Sequence, residues 1–243
     1  MHRYIKRKFM LEFIAFSLLL AIVAGFLGIV GYNMGKSDLA ASYSVSAKNK
    51  KIIIDAGHGG MDGGATGVNG ILEKELNLIL AEKSAELFRL NGYEVIMTRD
   101  TDISRGEDAP KGKRKMTDLV KRLEIAENNP DAVFLSIHMN KFPQEVCRGL
   151  QLWYSGNNDM SRRLSEIIKA SVKAYVQQDN SRECKKATSS IYLLDRMKNV
   201  SVLAECGFVS NTEECQKLCE NSYQNKLASV FFYSVNDFYN NVG

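Results

Sequence analysis

From residue 51 onward, short apolar runs alternate with longer stretches whose apolar residues return every three or four positions. The runs read as strands and the stretches as helices. Three β-branched residues, Ile52, Ile53 and Ile54, predict a first strand over 52–55. Leu76, Leu80, Leu87 and Leu90 mark a helix over 73–90, stopped by Asn91 and Gly92. Further strands are predicted over 93–98, 132–138, 149–154, 190–194 and 200–205. Helices are predicted over 116–128, 161–176, 212–220 and 223–239. The charged stretch 100–115 contains Gly106, Pro110 and Gly112 and predicts an exposed loop. AVFLSIH (132–138) is apolar nearly throughout, as a strand covered on both faces is.

This alternation predicts an α/β fold, a single domain over 51–243 with a mostly parallel, open, twisted sheet and helices on both faces. Ligands of such sheets bind beyond the carboxyl ends of the strands. His58, His138 and Glu205 all stand at those ends. Between the first strand and the first helix runs a loop holding Gly57, Gly59, Gly60, Gly63, Gly64, Gly67 and Gly70. Such a loop turns tightly and lets another molecule approach the backbone. His58 at a strand end and Glu73 at a helix start suit two ligands of one metal ion. The loop has no G-x-x-x-x-G-K-[ST], which argues against a phosphate cradle.

The pattern changes before residue 51. Arg3, Lys6, Arg7 and Lys8 precede an apolar run over 13–30 that only Ser17, Gly25 and Gly28 interrupt. A basic flank followed by such a run predicts membrane targeting, with the basic end cytoplasmic and the following domain outside. The run is close to the roughly 20 residues of a membrane span, so residues 1–34 read as a signal anchor. A cleaved signal peptide stays open, because Val45, Ser46 and Ala47 suit a cleavage site. Residues 35–50 are small and polar, a linker. Of the formal charge of +4, residues 1–47 carry +3. The outer domain is therefore almost neutral, and nothing in it marks a nucleic-acid partner. Five cysteines, Cys147, Cys184, Cys206, Cys215 and Cys219, cannot all pair within one chain, and free thiols are expected.

The outer domain has only two histidines, His58 and His138. Two histidines and a glutamate are one standard ligand set of a catalytic zinc. DAGHGGMDGGATGVNGILEKE (55–75), SIHMN (136–140) and AECGFVSN (204–211) together resemble the zinc-dependent N-acetylmuramoyl-L-alanine amidases of the type 3 class. TRD (98–100) and KRLEIAEN (121–128) match further blocks of that family. Two departures are Ala56 where proline is usual and Met139 where alanine is common. The resemblance implies zinc on His58, Glu73 and His138, and Glu205 as the general acid/base. Glu75 is the rival to Glu73. The implied reaction is hydrolysis of the amide between the lactyl group of muramic acid and L-alanine in peptidoglycan. Asn140 and Arg196 are candidates for substrate contact, and Arg196 could instead pair with Glu205.

Some cell-division amidases carry a long helical plug after the second histidine motif, whereas only 141–148 separate SIHMN from the next predicted strand here. The targeting segment and the QQDNSRECK and SIYLLDR stretches most resemble the germination-specific amidase subgroup of spore formers. That resemblance implies spore cortex as substrate, in the space between the forespore membranes. It also implies functional coupling to a muramic acid deacetylase that completes muramic-δ-lactam. The flexible glycine loop leaves room for an accessory protein that assists zinc binding. Two other classes compete: a catalytically silent wall-binding module, and a thiol hydrolase using Cys206.

Overall fold

The computed structural model describes residues 50–241. The targeting segment over 1–34, and all of the linker but Lys50, lie outside the described residues. Among the described residues no helix is long and apolar enough to cross a membrane.

Strand β1 (Lys51–Ala56) runs between β2 (Glu94–Met97) and β3 (Val133–Asn140), parallel to both. β6 (Ser201–Phe208) lies parallel to β3 on its other side. β4 (Gln151–Tyr154) pairs antiparallel with β6, and a two-residue β5 (Lys185–Lys186) closes that edge, giving the order β2-β1-β3-β6-β4-β5. Four strands therefore form the parallel body expected from the sequence, and the reversal is confined to one edge. After β1 the chain adds β2 on one side and β3 on the other. The crevice between β1 and β3 is thus a topological switch point, where open α/β sheets place ligands.

Alternation along β1 sends successive isoleucines to opposite faces. Ile53, with Phe134 and Leu203, packs beneath α2 (Arg114–Glu127) and α4 (Tyr192–Arg196), among Ala126, Leu193, Leu194 and Met197. The other face carries α1 (Glu73–Leu90), α3 (Asp159–Tyr175) and α6 (Asn221–Asn241). α1 turns Leu76, Leu80, Ala81 and Phe88 inward, the helical spacing already visible in the sequence. Phe88 meets Tyr93 and Phe232 edge to face, with ring centroids 5.1 and 5.4 Å away. α5 (Thr212–Cys219) packs against β6 and α6. Asn211 caps it by accepting the Glu214 N–H at 2.8 Å.

One expected strand is a helix. Residues 190–194 were predicted extended, yet after the turn that bonds Ile191 N to Thr188 O the chain winds into α4. The four-residue apolar run over 191–194 has the same composition in a strand and in a buried helical turn, so periodicity does not decide. The edge of the sheet decides it. β5, made of two exposed lysines, takes the place beside β4, and Leu193 and Leu194 reach the core from a helix instead.

Candidate metal centre

β1 brings Asp55 to the switch point, and the backbone then turns sharply. His58 has φ +60°, the one non-glycine residue with positive φ among the described residues. That region is sterically unfavourable for a side-chain-bearing residue and persists only where the surroundings hold it. Gly57 makes room for the turn. A Cβ there would lie 2.2 Å from the His138 ring. Gly64, at φ +66°, lies against the same cluster, where a Cβ would come within 2.6 Å of Glu73 Oε2.

Glu73, in the first turn of α1, points into the crevice and is 4% exposed. Its Oε1 lies 3.3 Å from His58 Nε2 and 2.9 Å from His138 Nδ1. One ligand atom from each of the three residues falls within 4.8 Å of the others. Glu73 is fixed by main-chain donors: Ala65 N–H to Oε2 at 2.8 Å and Met139 N–H to Oε1 at 3.1 Å. Asp62 Oδ2 lies 2.9 Å from His58 Nδ1, which orients that ring with Nε2 toward Glu73. Glu75 has a different task. Its carboxylate accepts the Leu72 N–H at 3.2 Å and caps α1.

Burial by itself would raise the Glu73 carboxyl, but the His138 and His58 imidazoles outweigh it and hold the group far below the usual carboxylate range. Burial likewise pulls His58 down, while Asp62 and Glu73 lift it to about 9. The cluster thus favours positive charge at its centre, whether on imidazole protons or as a metal cation. Tetrahedral ligands at about 2.0–2.2 Å stand roughly 3.3–3.6 Å from one another. The 2.9 and 3.3 Å separations around Glu73 Oε1 are near that spacing, and with all three ligand atoms within 4.8 Å of one another the two imidazoles and the carboxylate are a donor set that suits a small divalent ion.

Glu205 on β6 sits directly opposite His138 in the parallel register, so both side chains leave the sheet on one face. Its Oε2 is buried and has no hydrogen-bond partner. Burial raises the Glu205 carboxyl above its ordinary value, against the opposing pull of His138. Among the described residues it makes no ion pair. Arg196 is exposed at the end of α4, its guanidinium stacked 3.9 Å from the Tyr192 ring centroid and 3.4 Å from Asp195. The pairing of Arg196 with Glu205 considered from the sequence therefore does not form. Asn140 ends β3 beyond a register shift, with its carbonyl accepting the Val209 N–H at 2.8 Å. Cys206 is wholly buried, and burial pushes its thiol well above the ordinary range, the reverse of what a nucleophile needs. None of the five cysteines is in a disulfide.

Three residues at the site were not singled out from the sequence. Asp62 lies four positions after His58 within the glycine loop, and that spacing was its only local signal. Arg99 and Arg122 fall in the TRD and KRLEIAEN blocks, which carried the resemblance without a role. Both are nearly inaccessible and reach the backbone at Ala56, Gly57 and His58. Nothing in their own neighbourhoods announces a contact 42 or 64 residues away.

Residues 52–236 match the family model described as N-acetylmuramoyl-L-alanine amidase. The germination-specific N-acetylmuramoyl-L-alanine amidase of Bacillus subtilis is 30% identical over 206 residues, covering 84% of this chain and 86% of that one. The CwlD amidase of Clostridioides difficile, solved in complex with the GerS lipoprotein, superposes with a TM-score of 0.76 at 37% identity, over 80% of this chain and all of that one. An N-acetylmuramoyl-L-alanine amidase from Clostridium difficile 630 gives 0.70 at 27% identity over 81% of this chain and all of its own. The matched span runs from β1 into α6 and so encloses His58, Glu73, His138 and Glu205. With its three motifs converging on one crevice of that shared fold, this chain belongs to the N-acetylmuramoyl-L-alanine amidase family.

Proposed function

We propose that this chain is a zinc amidase that cleaves the bond between the lactyl group of muramic acid and L-alanine, with spore cortex as its substrate. His58, Glu73 and His138 would hold the ion, and Glu205 moves the proton. Zinc bound by these residues would supply a Lewis acid for the amide carbonyl and lower the pKa of a water. Glu205 takes a proton from the attacking water and returns it to the alanine nitrogen as the C–N bond breaks. The second transfer is required because an amide anion is a very poor leaving group. Asn140, at the rim, contacts the stem peptide.

The observation that carries this reading is the orphaned Oε2 of Glu205 beside His138. A buried carboxylate oxygen without a partner is costly to a folded protein, and water or a substrate N–H accounts for it. The germination-specific relative supports the cortex as substrate, and the coupling to a deacetylase rests on the resemblance of the sequence motifs alone. The CwlD–GerS complex supports an accessory lipoprotein for this chain. The basic flank and apolar run before residue 35 support a location outside the cytoplasmic membrane, by anchor or after export. A reporter fused at Gly243 and active only in the cytoplasm should stay dark, and a bright one removes that location.

The purified chain should release peptides with a free N-terminal L-alanine from cortex peptidoglycan, as read by mass spectrometry. A chelator should stop the release and zinc should restore it. Adding a muramic acid deacetylase should then yield muramic-δ-lactam. Release that persists after complete metal removal, or cleavage at another bond, would overturn the reading.

A further inference from the structure

Three consecutive carbonyls at the end of β1 are held by side chains. The last ladder bond of this strand end runs from Gly57 N–H to Ile137 O at 3.1 Å. The Ala56 carbonyl accepts from Arg122 Nη1 at 2.8 Å and Arg99 Nε at 2.9 Å. The Gly57 carbonyl accepts from Arg99 Nη2 at 3.0 Å and Asn77 Nδ2 at 3.1 Å. The carbonyl of His58 itself accepts from Arg122 Nη2 at 2.7 Å. Arg122 is anchored in turn: Nη1 lies 2.5 Å from Asp55 Oδ1 and Nε 2.7 Å from Asp118 Oδ2. It is 2% exposed and reaches neither the imidazoles nor the crevice mouth with a free donor.

A planar fork with five fixed donors can bridge Asp55, Asp118 and two carbonyls at once, which a lysine cannot. The bridge clamps the turn from both sides of its strained residue, since Ala56 precedes and His58 occupies the positive-φ position. Metal sites need their ligands within about half an ångström of the productive geometry. We propose that Arg122 is a positioning residue that pre-forms the His58 arm of the metal centre. It acts through the His58 carbonyl and touches neither the ion nor the substrate. This rests on the reading of His58 as a metal ligand.

The test measures zinc affinity of the metal-stripped chain by competition with a chromophoric chelator, beside melting of the same metal-free proteins. Arg122→Lys keeps a charge for Asp55 and loses the fork. It should weaken zinc binding roughly 10- to 100-fold, the range seen when supporting groups of metal ligands are removed. Val172→Ala, in the buried face of α3 away from the crevice, supplies a comparable loss of stability. It should leave affinity within about twofold. Asp118→Asn loosens the second anchor without stranding a fully buried charge and should weaken zinc in the same direction, by less. It carries the test if Arg122→Lys does not fold. Zinc affinity unchanged in the folded Arg122→Lys and Asp118→Asn proteins, or lowered equally by Val172→Ala, overturns the proposal. His58→Ala separates the two readings: if it binds zinc as tightly as wild type, the metal centre itself is wrong and this inference falls with it. If it loses zinc while the Arg122 and Asp118 variants keep it, only the positioning role fails.

Discussion

His138 and Glu205 face each other across the β3–β6 ladder, one a metal-ligand candidate and the other a carboxylate with a buried, unpartnered oxygen. In the proposed function this pairing divides binding from proton transfer between two neighbouring strands. Glu205→Gln should therefore keep zinc at wild-type content and lose about 10²–10⁴-fold in turnover, towards the upper end because the proton moves twice. Metal analysis beside a peptide-release assay checks this. Lost zinc in Glu205→Gln would place that carboxylate among the ligands.

Glu73 and Glu75 stand two residues apart, with opposite orientations and separate consequences. Glu73→Ala should lose metal and activity together, as should His58→Ala and His138→Ala. Glu75→Ala should keep both and lose only the Leu72 cap, on the order of 1 kcal/mol in urea unfolding. Retained zinc in Glu73→Ala would remove it from the ligand set.

Gly57 is a steric requirement of the site. Alanine there puts a Cβ 2.2 Å from the His138 ring, which must swing away from Glu73. Gly57→Ala should bind zinc more weakly and lose activity, while Gly70→Ser, whose Cβ position meets nothing within 4 Å, should keep its zinc affinity and pay only for its positive φ in stability. Equal zinc affinities for the two variants would refute the steric argument.

Acid should weaken the fold through Asp55. Burial would raise this carboxyl, but the Arg122 and His138 charges and the Ser136 and Thr98 hydroxyls hold it down at about 2. A folded pKa below the unfolded value stabilises above the unfolded pKa, near 4, and that contribution disappears as pH falls through the folded value. Stability should thus drop between about pH 4 and pH 2, by on the order of 2 kcal/mol from this group. Urea titrations across the window read the slope. The double variant Asp55→Asn, Arg122→Met should show a shallower one, and an identical slope would discard Asp55 as the source.

The sequence by itself carried the alternation, the parallel body of the sheet and the chemistry-bearing residues. Helical and strand periods, strand-end histidines and glycine density are all properties of short windows. His58, Glu73, His138 and Glu205 were legible because three local motifs each placed one or two of them beside a predicted element end. What needed the tertiary structure were choices between local equals. Glu73 or Glu75 enters the crevice according to how α1 docks, and 190–194 becomes a helix because β5 already occupies the edge beside β4. Arg99 and Arg122 were invisible as supports for the same reason. Their partners are backbone carbonyls, which every residue possesses, and only the packing of α2 and the β2 end against β1 selects which carbonyls they hold.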